Sequence, residues 1–317
     1  MPRRPRSGAR GTRSCRVGTS TDGALPPERG VQPAGYRAPD ATRLGRVQLQ
    51  VSNLSQSLLF YELVLGLRPL ERTGSVVVLG THDDPRPLVE LHELAGARPV
   101  PRRGRLGLFH LALLLPSRPS LGCFLQHVFE TGGFTGMSDH LYSEAVYLSD
   151  PDGLGIEVYA DRPRAAWRYR DREFIATVDP LDVDGLVAAA GGQQWRGMPA
   201  GSVLGHVHLR VGDLEASARF YHQALGLDKT TWTYPGALFL GAGGYHHHLG
   251  TNTWAGDVER PGGRDARLLA WEVILPGRAD VEAVAASMHR HGFAITTHLR
   301  GFDAEDPWGT TVRVLAG

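Results

Sequence analysis

The feature that most restricts this chain's fold is that it repeats itself. "VSNLSQSLLFYELVLGL" at 51–67 and "VGDLEASARFYHQALGL" at 211–227 align without a gap, sharing Val, Leu, Ser, Phe, Tyr and a closing Leu-Gly-Leu. A self-match at such long spacing means that one supersecondary unit is used more than once. The second copy opens with strand alternation: Val207, Leu209 and Val211 share one face, and His206, His208 and Arg210 share the other. Asn53 and Asp213 then stand as helix N-caps. Leu54, Ser57/Leu58 and Tyr61 follow at helical spacing, and Gly66 and Gly226 are natural helix stops.

A weaker pair of copies is also visible. "HLALLLPSR" (110–118) and "AWEVILPGR" (270–278) read as strands ending in Leu-Pro, each leading into a helix closed by Gly132 or Gly292. Each unit then ends in a hairpin, "DPDGLGIEVY" at 150–159 and "DPWGTTVRVL" at 306–315, where Asp-Pro-x-Gly is turn chemistry ahead of strand residues. The chain therefore divides into four units near 44–95, 106–161, 203–256 and 268–316, with a connector at 162–202. Each reads strand, helix, then several strands. One such unit has too little core to stand alone, so units should pair with their sheets curled round a shared cleft.

Composition excludes several function classes. With 42% hydrophobic and 21% charged residues among 317, the chain reads as soluble and globular. A net charge of +1 gives no field to recruit nucleic acid or an anionic membrane, and no apolar run approaches the twenty residues of a membrane span. Two cysteines, Cys15 and Cys123, make no disulfide framework and suit a reducing cytoplasm. Cys123 shares a helix with Leu121 and Phe124 and reads as core. Residues 1–40, opening on the Arg-rich "MPRRPRSGARGTRSCRVG", read as a disordered tail because no apolar face develops at helical spacing; an organellar transit peptide is the alternative. The glycine-rich "AGGQQWRGMPAG" and "RPGGRDARL" lack a phosphate-binding pattern and read as linkers.

The units resemble the modules of the vicinal-oxygen-chelate superfamily, which includes glyoxalase I, bleomycin-resistance proteins and extradiol ring-cleaving dioxygenases. The resemblance covers residues 44–317 and is carried above all by "LGHVHLRVGDLEASARFYHQALGL" and "YLSDPDGLGIEVYADRP". "HLALLLPSR", "DHLYSEAVYLSDPDGLGIEVYADRPR" and "GGYHHHLGTNTW" narrow it to bacterial catechol-2,3-dioxygenases of the four-module type. The resemblance implies an α+β fold of four βαβββ modules paired into two curled-sheet barrels.

In this superfamily, metal ligands come from the first and last strands of a module. The matching first-strand positions are Arg46, His110, His206 and Ala270; the last-strand positions are Glu90, Glu157, a histidine of the 246–248 run, and Arg313. Arg46, Ala270 and Arg313 are not ordinary ligands. The resemblance thus implies a metal held by His110, His206 and Glu157, the two-histidine, one-carboxylate facial triad of non-haem Fe(II) oxygenases, with Mn(II) the alternative ion. Familiar relatives draw the triad from modules three and four. Here it falls in two and three, so module two should pair with three, and module one with four around a vacant cleft.

Further roles follow from the same resemblance. Tyr147, ten positions before Glu157, matches a tyrosine that contacts the bound catecholate, and His140 matches, less closely, a supporting histidine. His247 matches an acid–base histidine with a pKa near neutrality, which leaves His246 and His248 solvent-facing or behind the metal ligands and His208 without a role. Without the resemblance, His110 reads as a core or edge histidine, Glu157 as an exposed edge-strand acid and Tyr147 as a half-buried strand residue. The implied partners are a small aromatic diol and O2, with homo-oligomerisation left open. The rival readings are a metal-dependent isomerase or lyase of the glyoxalase type, using His247 as a fourth ligand, and a non-enzymatic protein that sequesters a flat aromatic molecule.

Overall fold

Two mixed eight-stranded sheets carry the molecule, and their strand order shows how the repeats pair. In the computed structural model, which describes residues 29–317, one sheet runs Asp228–Thr231, Ala237–Gly241, Leu249–Asn252, Val203–Arg210, Gly107–Leu114, Gly155–Asp161, Ser143–Ser149, Phe134–Asp139. It joins repeat three to repeat two through the antiparallel pair 203–210 and 107–114. The other sheet joins repeat four to repeat one in the same way, through Arg267–Leu275 and Arg43–Val51. Two curled sheets, each from two repeats, are the α+β architecture expected from the sequence. The central strands of the two sheets also pack on each other, 43–51 against 203–210 and 267–275 against 107–114.

The local devices read in the sequence are present. Asn53 accepts a hydrogen bond from the Gln56 amide and Asp213 from the Ala216 amide, starting the helices Leu54–Leu63 and Leu214–Ser217. The second of these continues as a π-helical stretch over Ala218–Ala224, a deviation that no spacing pattern announces. In both Asp-Pro-x-Gly turns the aspartate folds back on the chain. Asp150 Oδ1 accepts from the amides of Asp152 and Leu154, and Asp306 Oδ1 from those of Trp308 and Thr310.

Those aspartates also stitch neighbouring repeats together. Tyr61, on the helix of repeat one, donates to Asp150 of repeat two at 3.4 Å, and Tyr221, in repeat three, donates to Asp306 of repeat four at 2.8 Å. All four side chains are buried. Sheet pairing joins repeats two with three and four with one; buried tyrosine–aspartate contacts join one with two and three with four. A continuous core with Trp271, Tyr61, Tyr221, Phe124 and Phe220 at its centre runs through all of them.

Two sequence expectations need correction. The tail assigned to 1–40 is packed from residue 29 onward: Val31 bridges Lys229 through the backbone, Arg37 pairs with Asp228 at 2.7 Å, and Ala38 is buried. Residues 1–28 of that expectation lie outside the described residues. The 162–202 connector is also more than a link. It folds into a small hairpin, Tyr169–Arg170 with Glu173–Phe174, and a helix, Val183–Ala189, and its residues 176–178 face the cavity described next.

Candidate active site

Strand register decides which side chains meet. On the 107–114 strand, Ala112 lies beside Glu157; on the 203–210 strand, His208 lies beside Gly250. His110 and His206, each two residues earlier, project toward the same point. His110 Nε2 is 3.0 Å from Glu157 Oε2, His206 Nε2 is 3.3 Å from the same oxygen, and the two Nε2 atoms are 3.3 Å apart. All three residues are buried, with 5%, 2% and 2% exposure. Buried polar atoms this close make a costly arrangement unless something holds them together.

The electrostatics suit a cation. Burial alone would raise the Glu157 carboxyl, but the imidazoles of His206 and His110 outweigh it and hold the group well below its usual range. Burial pushes His206 down to about 4, so it is a neutral base near pH 7. Donors around an octahedral divalent cation with bonds near 2.1 Å stand roughly 3 Å apart, which these spacings match. Imidazole nitrogens and one carboxylate oxygen are also the donor set that divalent iron and manganese accept.

The triad forms the floor of a cavity of about 300 Å³. Tyr147 and His140 stand on one wall. His140 Nδ1 donates to the Thr177 carbonyl at 2.6 Å, which leaves Nε2 to accept from the Tyr147 hydroxyl, also at 2.6 Å. His247 stands on another wall, its ring centroid 4.2 Å from that of His206.

The histidine run departs from expectation in three respects. It is not on a strand: glycines 243 and 244 turn the chain with positive φ, and the strand begins only at Leu249. The residue at Glu157's register in repeat three is therefore Gly250, not a histidine. A Cβ at Gly250 would come within 2.9 Å of the His208 ring, so the space holds His208. Second, no histidine of the run faces solvent; all three are buried. Third, burial, followed by the neighbouring His206 and His246, pushes His247 well below its ordinary value rather than toward neutrality.

The run faces three ways. His247 lines the triad cavity, and His248 lines a separate groove, its Nδ1 accepting from the Ala242 amide. His246 lies between them, with Nε2 2.9 Å from Asp161 and Nδ1 2.8 Å from His247 Nδ1. In the tautomer where His246 donates to Asp161 from Nε2, its Nδ1 accepts. His247 then donates from Nδ1 and keeps Nε2 as a free lone pair.

Sequence reasoning missed His208, Asp161 and most of the wall. His208 lines the cavity, accepts from the Asn252 amide at 2.9 Å and packs on Phe109 and Trp254. Its presence on the His206 face of the strand was the available signal. The cleft of repeats one and four is not vacant either. Arg46 fills it, pairing with Glu90 at 2.7 Å and Glu272 at 3.1 Å.

Residues 43–158 and 203–314 match the model of the Glyoxalase/Bleomycin resistance protein/Dioxygenase superfamily. The chain belongs to that superfamily. A curated relative, the catechol-2,3-dioxygenase of Bacillus subtilis (strain 168), is 41% identical over 271 residues, covering 84% of this chain and 94% of its own. Among solved structures, glyoxalase I of Zea mays superposes with a TM-score of 0.54 at 20% identity, over 87% of this chain and 92% of that one. The cppA protein of Streptococcus pneumoniae TIGR4 gives 0.51 at 12% identity, over 87% and 100%. At such identities the two structures speak for the superfamily fold alone, which the paired repeats share. Among the described residues, no helix is long and apolar enough to cross a membrane.

Proposed function

We propose that this member of the superfamily is an extradiol dioxygenase that opens a catechol-like ring with O2, using non-haem Fe(II) held by His110, His206 and Glu157. One observation carries the reading: three donor atoms within 3.3 Å of one another form the floor of a buried, aromatic-walled cavity. The likeness to a catechol-2,3-dioxygenase supports the same choice. Bound there, ferrous iron would supply the electron exchange between ring and O2, and Mn(II) would accept the same donors. The remaining work belongs to side chains. Tyr147, oriented by His140, presents its hydroxyl oxygen to the diol side of the cavity. His247, neutral and holding a free lone pair, takes a diol proton and returns one as the ring opens. The packed walls exclude water from the reacting atoms.

The isomerase alternative needs His247 as a fourth ligand; among the described residues the donor atoms that lie within 4.8 Å of one another are those of His110, Glu157 and His206, and the position matching Glu157 in repeat three is Gly250. The test is anaerobic reconstitution with Fe(II), then addition of catechol and O2. A yellow ring-opened product supports the reading. Full metal loading with no O2 uptake overturns it.

A further inference from the structure

Resting on the dioxygenase reading, we propose that the substrate is an uncharged catechol with an apolar side group, and that the cavity rejects catechols bearing a carboxylate. The argument is what the wall lacks. Among the described residues that line it there is no lysine and no arginine, and Glu157 is the one carboxylate. Arg210 lies close by but is not on the wall: its guanidinium stacks 4.6 Å from the Phe109 ring centroid and donates to the Leu108 carbonyl.

Several neutral donors are committed, and the remaining hydroxyls, those of Tyr142, Ser143 and Tyr234, carry no counter-charge for an anion. Ser138 and Thr177 donate to Asp179, the Trp254 indole donates to the Pro235 carbonyl, and both His140 nitrogens are used. Away from the triad the apolar side chains of the wall are Phe109, Met137, Val178, Phe239 and Trp254. Two of these, Val178 at 67% and Trp254 at 49% exposure, are large apolar side chains left open to solvent, so the apolar surface continues to the rim. An anionic substituent there would lose its water without gaining a counter-charge; an alkyl or aryl group would cover exposed carbon.

The test compares the methyl ester of 3,4-dihydroxyphenylacetate with the free acid, which differ in charge on one scaffold, and adds 4-ethylcatechol. Binding is read without O2, by quenching of tryptophan fluorescence in the Fe(II)-loaded full chain; turnover is read with O2. The ester and 4-ethylcatechol should bind more tightly and show kcat/KM on the order of 10²-fold above the acid. Val178→Arg, which places a cation on the exposed rim, should narrow the ester-to-acid gap about tenfold by raising kcat/KM for the acid and weakening the ester and 4-ethylcatechol. Equal handling of ester and acid by the natural chain overturns the proposal, and so does a gap that Val178→Arg leaves intact. Discrimination in binding without any ring opening would sink the dioxygenase reading and leave only the cavity's preference for uncharged ligands.

Discussion

At the scale of single residues, the triad is a mutual arrangement, and its loss should be all-or-none. His206→Ala removes one of three donors and leaves Glu157 buried beside His110 alone. Metal affinity should fall by more than the 10–100-fold that losing a ligand's hydrogen-bond partner costs, with the circular dichroism of the fold retained. Metal analysis after gel filtration checks this, and stoichiometric iron in the variant would remove His206 from the ligand set. Asp161→Asn should behave differently. It disturbs the histidine tautomer behind His247, so iron should stay bound while turnover slows about tenfold or more, up to the roughly 10²–10⁴-fold that an acid–base group supplies. Unchanged turnover would mean that the Asp161–His246 contact is only structural. The meeting of His110, Glu157 and His206 was legible through the family resemblance, which sets ligands on the first and last strands of a repeat; alternation alone left His110 as a core or edge residue and Glu157 as an edge-strand acid. The facing of the histidine run was not. A turn of two glycines broke the alternation, and the strand period cannot be extended through a turn.

At the scale of elements, the same motif does two tasks in two places. Each Asp-Pro-x-Gly aspartate caps its own turn with one oxygen and takes a tyrosine from the neighbouring repeat with the other. Tyr221→Phe leaves Asp306 buried without that donor and should lower stability by about 1–3 kcal/mol in chemical denaturation. Tyr61→Phe should cost less, because its contact is longer. Burial raises the Asp150 carboxyl to about 7. Its folded pKa lies above its unfolded one, so its contribution is complete below about pH 4 and is lost as pH rises through about 7. Unfolding free energy should therefore decline across that window, with a limiting slope near 1.4 kcal/mol per pH unit from this group, and Asp150→Asn should remove that component. Caps and turns could be read from the sequence because their chemistry is local. The π-helical stretch and the fold of the connector could not, since both are set by packing partners distant in sequence.

At the scale of the whole molecule, the four repeats form two equivalent clefts with different contents. The slots of one hold His110, Glu157 and His206; the matching slots of the other hold Arg46, Glu90 and Ala270. Glu90 already stands where Glu157 stands, and the guanidinium of Arg46 lies between Glu90 and Glu272. A fixed organic cation thus pairs with both acids of one cleft, while on the proposed reading the acid of the other is left to an exchangeable ion. The difference between a structural half and a chemical half therefore comes down to very few side chains on a shared backbone. Arg46→His with Ala270→His would set a second pair of imidazoles around Glu90, giving a duplicated centre in which each cleft serves as the other's internal standard.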